Sequence, residues 1–212
     1  MTTAGMKDLL VYTADADALA FMRAVLGRPK ALGIRPIEFD IERHPQRDAG
    51  MVQSGAELAR MKKGRYHRAL MMWDFAGCGR EHRMPAQALE AEVQGRLDNY
   101  SWSGRSAVTV LVPELEVWLW HCAPTLAAYL EVSVDEIDGR LQVFAGKQGQ
   151  DLDTLKREQP KELFEHLMRE KLRRTISPRD FEEIGRKASI KRLRDCPSFD
   201  RIAGILQGWF PS

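Results

Sequence analysis

Through the first half of the chain, apolar residues fall in short runs, with helical spacing between those runs. "DLLVYT", residues 8–13, reads as a short buried strand. Residues 15–32 carry Leu19, Met22, Val25 and Leu26 at helical spacing, with Asp15 or Asp17 to cap the start and Gly33 to end the helix. "IRPIEFDIE" alternates apolar and polar positions as a half-buried strand does, and Pro36 pushes it toward a sheet edge. "RHPQRDAGM" then reads as a polar loop and "SGAELARMKKG" as a short helix stopped by Gly64. "YHRALMMWD" has an unbroken apolar centre, the mark of a strand covered on both faces. Residues 85–100 place Leu89, Val93 and Leu97 on one helical stripe, and "SAVTVLVP" is a further strand.

This alternation predicts an α/β fold, a mostly parallel sheet of about four strands with helices on both faces. Beyond Pro113 the pattern turns helical, with helices expected over 154–158, 161–173 and 198–209. The predicted division is an α/β core over residues 1–132 and a helical extension over 133–212, packed on that core. In "ELEVWLWHC", Trp118 and Trp120 cannot share a helical face, so one is expected in the core and the other over the helical tail.

Composition narrows the function classes. A chain of 212 residues with 44% apolar and 29% charged content is ordinary for a globular protein. A net charge of +2 does not suit a strongly basic nucleic-acid binder, though local basic patches remain open. Cys78, Cys122 and Cys196 form no C-x-x-C pair, which points away from a zinc knuckle or disulfide framework and toward a reducing compartment. The N-terminal stretch has no basic segment followed by a long apolar one, and no apolar run approaches a bilayer's span. A cytoplasmic protein without membrane contact is therefore expected. Neither a G-x-x-x-x-G-K-[ST] loop nor a G-x-S-x-G elbow is present, which sets aside P-loop and α/β-hydrolase chemistry.

Open parallel sheets bind ligands beyond the carboxyl ends of their strands. Each predicted strand is followed by acids: Asp15 and Asp17, then Asp48, then Asp74, then Glu114 and Glu116. Carboxylates gathered at one edge repel unless a cation sits among them, and Mg2+ is the usual hard cation for such a set together with substrate phosphates. Asp74, Glu114, Glu116, Asp15 and Asp17 are the candidate metal ligands, and Asp74, Glu114 and Asp48 the candidate catalytic acids. Any one of these acids also suits a helix cap. Asp74 leans toward function because it ends an apolar strand and is followed by Gly77 and Gly79. His44 and Arg47 are candidates to hold a phosphate, with Asp48 orienting Arg47; an exposed turn with an internal salt bridge is the other reading. Lys62, Lys63 and Arg65, in "RMKKGRYHR", suit either a nucleic-acid backbone or a solvated helix end, as do the five basic residues of "RKASIKRLR".

The strands "LLVYT" and "ALMMWDFAGCG", with "VLVPELEVWLW", "PKELFEHLM" and "LRDCPSFDRIAGIL", resemble the small Toprim-like proteins of bacterial defence islands. Within these the chain is similar to the small accessory component of the methylation-associated defence system, related to the DUF4276 group. The resemblance runs over most of the chain and is most specific in "PELEVWLW" and "CPSF". It implies a Rossmann-like or Toprim-like core and a role in defence against phage. It also implies other defence-system proteins as partners, with DNA or RNA as a further one. Toprim domains bind Mg2+ through a glutamate after the first strand and a D-x-D after the third. Asp74 matches the first aspartate of D-x-D, but Ala76 stands at the second, and the glutamate position falls at Tyr12 or Thr13. Asp15 or Asp17 is a possible substitute for that glutamate. Two readings stay open: a metal-dependent nuclease or phosphoryl-transfer enzyme, and a non-catalytic adaptor that binds nucleic acid or a partner protein.

Overall fold

A computed structural model describes residues 5–212; residues 1–4, part of the stretch read for a leader, lie outside the described residues. Four strands, β1 (Lys7–Thr13), β2 (Phe39–Arg43), β3 (Tyr66–Asp74) and β4 (Ser106–Leu111), form one sheet in the order β2-β1-β3-β4. Every pairing is parallel, with Val11 aligned to Ile41 on one side and Leu70 on the other, and Asp74 aligned to Leu111. The α/β expectation holds. β2 lies at a sheet edge as expected but is shorter than the alternating run, spanning Phe39–Arg43 with Pro36 before it, and β3 spans the predicted residues.

The connections are α1 (Ala16–Leu26) with the short α2 (Pro29–Leu32), α3 (Arg47–Arg60) and α4 (Ala86–Leu97). The helix expected over 15–32 is therefore two. Pro29 cannot donate a backbone hydrogen bond in a helix interior, so α1 stops at Leu26 and α2 restarts on the proline. Gly33, at φ 70°, ends α2 as expected. The loop expected over 43–51 is largely helical, since α3 starts at Arg47. Arg43, Gln46 and Arg47 are exposed around its start, while Met51, Val52, Ala56 and Ala59 form the buried stripe.

β3 is apolar throughout its centre because each face meets a different core. Leu70 and Met72 pack with Leu9, Val11 and α1, whereas Ala69, Met71 and Trp73 pack with Leu10 and residues of α3 and α4. The first of these cores also contains the helical second half: α5 (Val117–His121), α6 (Ala123–Leu130), α7 (Val134–Gln148), α8 (Leu152–Glu158), α9 (Pro160–Leu172), α10 (Pro178–Lys187), α11 (Ile190–Leu193) and α12 (Pro197–Trp209). Residues on both sides of 132/133 share that single cluster. Trp118 is the tryptophan in the core, between Phe21 and Phe199 at ring separations of 5.5 and 5.1 Å, while Trp120 is half-buried and donates to the Pro160 carbonyl. α10 lies so close to α1 that a side chain at Gly185 would meet the Phe21 carbonyl at 3.2 Å. Among the described residues, no helix is long and apolar enough to cross a membrane.

Candidate metal centre

A parallel sheet brings all its strand ends to one edge, so the acids that follow β1, β2, β3 and β4 gather there. The chain leaves β1 toward β2 on one side and later fills the other side with β3 and β4. The switch point is thus the crevice between β1 and β3. Asp74 closes β3 at that crevice and is almost wholly buried. Its N–H donates to Asp48 Oδ1 at 2.9 Å, because α3 crosses over β1 and sets Asp48 in its first turn. Asp74 Oδ1 accepts from the Leu115 N–H at 2.9 Å, and the Phe75 and Ala76 N–H groups bond to the Leu111 and Pro113 carbonyls at 2.8 and 2.9 Å. These bonds tie the loop after β4 to the end of β3 and so bring Glu114 and Glu116 beside Asp74.

One carboxylate oxygen each from Asp74, Glu114 and Glu116 lies within 4.8 Å of the other two. Glu114 Oε1 also accepts from the Lys161 N–H at 3.1 Å, at the start of α9. Glu116 is 2% exposed, and its Oε2 has no hydrogen-bond partner. A buried acceptor left without a donor is costly, and a cation would satisfy it. Burial, and then the charge of Glu114, push the Glu116 carboxyl up to about 8. Burial lifts Asp74 well above the usual carboxylate range, with Glu116, Asp48, Asp15 and Glu114 adding repulsion. Burial raises Glu114 and Asp48 as well. The donor set fits a metal ion: three hard oxygen ligands in a mutually repelling group, Glu116 and Asp74 buried and Glu114 half-buried.

The other predicted acids share the edge but not this set. Asp15 caps α1 through the Ala18 N–H at 2.8 Å. Burial, with the charge of Asp15, pushes Asp17 up to about 6. The glycines after Asp74 serve the turn itself. Gly77 and Gly79 take φ 81° and 79°, and nothing lies within 4 Å of where their side chains would be.

Of the residues read as phosphate contacts, only Arg47 stands at the acidic rim, exposed and close enough for its charge to lower the Asp17 carboxyl. His44 is buried. Its Nδ1 accepts from the Gln46 N–H and its Nε2 meets Ser54 Oγ, both at 3.1 Å, and burial lowers its pKa, so it has no nitrogen to offer a phosphate. Lys62, Lys63 and Arg65 precede β3 and sit at the edge where strands begin. The length of β3, about 30 Å, separates the backbone of Lys63 and Arg65 from the acids, while the Lys62 ammonium is held by Glu42 at 2.7 Å, level with Tyr12 and Met71. A groove of about 460 Å³ runs along the free edge of β4, between α4 and α12, and contains none of the strand-end acids.

Lys161 is the residue the strand-end reasoning missed. It comes from the helical tail, and the only local signal was a lysine just after a helix-starting proline. Burial works against its charge, yet Glu116, Glu114, Asp74 and Asp15 together raise its pKa.

Fold and site together define an α/β protein with a partly buried carboxylate trio at the carboxyl edge of a parallel sheet, beside its switch point. Comparison with protein-family models, curated proteins and solved structures returns no match.

Proposed function

We propose that this protein binds Mg2+ through Asp74, Glu114 and Glu116 and acts on nucleic-acid phosphodiesters, as a nuclease or phosphoryl-transfer enzyme in bacterial defence against phage. The observation that carries the metal site is the unpartnered Glu116 oxygen, buried beside two further carboxylates. The nucleic-acid substrate and the defence setting rest on the Toprim-like resemblance of the strands and of "PELEVWL". A bound Mg2+ would polarise a phosphate and stabilise the leaving oxygen. Asp74 is held by Asp48 and Leu115, and Glu114 by α9, so two of the three ligands are oriented beforehand. Asp48 orients Asp74 through its backbone.

Calorimetric titration of Mg2+ and Mn2+ tests the site on the native chain, Asp74→Ala and Glu116→Gln. Binding by the native chain and its loss in both variants is the expected result. Cleavage of labelled DNA and RNA oligonucleotides is then measured with the same ions. The adaptor reading draws on Ala76, which stands where a Toprim domain has its second aspartate. Metal binding without cleavage would favour that reading, and absence of metal binding would remove the enzyme.

A further inference from the structure

We infer that Lys161 is the substrate-contacting cation of this site: its ammonium takes a non-bridging oxygen of the phosphodiester beside the carboxylate trio. The inference rests on the metal reading above. Its geometric basis is the start of α9. The Lys161 N–H is bonded to Glu114 Oε1 at 3.1 Å, so the lysine side chain leaves the backbone directly beside the trio. That side chain is half-buried and lies among the charges of Glu116, Glu114, Asp74 and Asp15.

The ammonium is nevertheless uncommitted. Lys7, Lys62, Lys156 and Lys171 each make an ion pair of 3.3 Å or less, whereas among the described residues Lys161 makes no ion pair within 4 Å. A lysine placed only to neutralise Glu114 or Glu116 would close on one of them. One divalent ion leaves the three ionised carboxylates one negative charge in excess, and a phosphodiester would meet that charge. Lys161 cancels it, and as a compact point charge it suits a phosphate oxygen.

The test separates metal from phosphate. Mn2+ affinity is read by calorimetry on the native chain, Lys161→Gln and Lys161→Arg. Affinity for fluorescein-labelled single-stranded DNA and RNA oligonucleotides is read at saturating Mn2+, with thermal unfolding as the folding control. Lys161→Gln is expected to hold Mn2+ at least as tightly as the native chain and to bind either oligonucleotide about ten- to a hundredfold more weakly, the worth of one charged hydrogen bond. Lys161→Arg should recover most of that loss. The inference is overturned if Lys161→Gln binds the oligonucleotides like the native chain, or if it loses Mn2+ and thermal stability together, as a structural counter-charge would. A native chain that ignores Mn2+ removes the metal reading and this inference with it. Mn2+ binding with oligonucleotide affinity indifferent to Lys161 removes this inference alone.

Discussion

Glu116 shows what a single buried carboxylate does to the whole protein's pH response. Its ordinary value is 4.5, and in the fold it titrates at about 8, facing Glu114, Asp15 and Lys161. Between those values the folded chain holds a proton that the unfolded chain has released. Stability therefore falls as pH rises through this window, and the loss is complete above the folded value. The effect is on the order of a few kcal/mol, and Asp74 acts in the same direction. With a chelator present, thermal unfolding should drop from about pH 5 to about pH 9, and Mn2+ should restore it at the upper pH but not the lower. Glu116→Gln should flatten the slope and abolish the Mn2+ effect. A chelated native protein as stable at the upper pH as at the lower would rule this out. Asp74 was legible from sequence because it ends an apolar run, and Glu116 because it recurs two residues after Glu114. Lys161 was not, since its bond to Glu114 spans 47 positions and links a strand-end loop to a helix of the tail.

Element boundaries decide the role of His44. Read as a polar loop, "RHPQRDAG" exposes a base; as the entry to α3, it buries one. Gly50 faces the imidazole so closely that a methyl group there would lie 2.2 Å from Nδ1. Gly50→Ala should therefore destabilise by about 1–3 kcal/mol through overpacking, as read by urea unfolding, and His44→Ala in the same chain should relieve the imidazole's share of it, the 2.7 Å approach to Gln46 Cβ remaining. His44→Ala alone should leave Mn2+ and oligonucleotide binding unchanged; a marked loss of oligonucleotide affinity would return His44 to the site. α10 carries a second device, part of it the local pattern Ser177-x-x-Asp180. Asp180 is fully buried, closes a capping box with Ser177, and accepts hydrogen bonds from Arg174 and Tyr129. Asp180→Ala should cost about 1–2 kcal/mol, mostly the lost helix cap and the Tyr129 hydroxyl left without its acceptor, because Arg174 is 43% exposed and stays solvated. A cost below about 1 kcal/mol would mean that the cluster sits effectively in solvent. The strands were the most legible elements, since both faces of β3 needed apolar cover. The start of α3 and the break before Pro29 were not, because polar residues on the outer face of a helix look like a loop.

At the scale of the molecule, the division at 132/133 separates sequence patterns rather than cores. Phe21 of α1 and Trp118 of α5 pack with Phe199 of α12, and Gly185 of α10 lets that helix settle against α1. A chain ending at residue 132 would uncover Phe21, Trp118, Leu119 and Leu126 at once, each fully buried in the intact protein. Each such side chain contributes roughly 1.5–3 kcal/mol when buried, and four of them approach the whole net stability of an ordinary domain. The same cut removes Lys161, whose backbone holds Glu114 in the trio. Residues 1–132 expressed alone should therefore show no cooperative thermal transition, should bind a hydrophobic dye, and should not bind Mn2+ with native affinity. A cooperative transition near that of the full chain would show instead that the sheet and α1, α3 and α4 suffice. Short of that result, the helical tail belongs to the site as much as to the core: it supplies the cation on one side of the carboxylates and the apolar cover on the other.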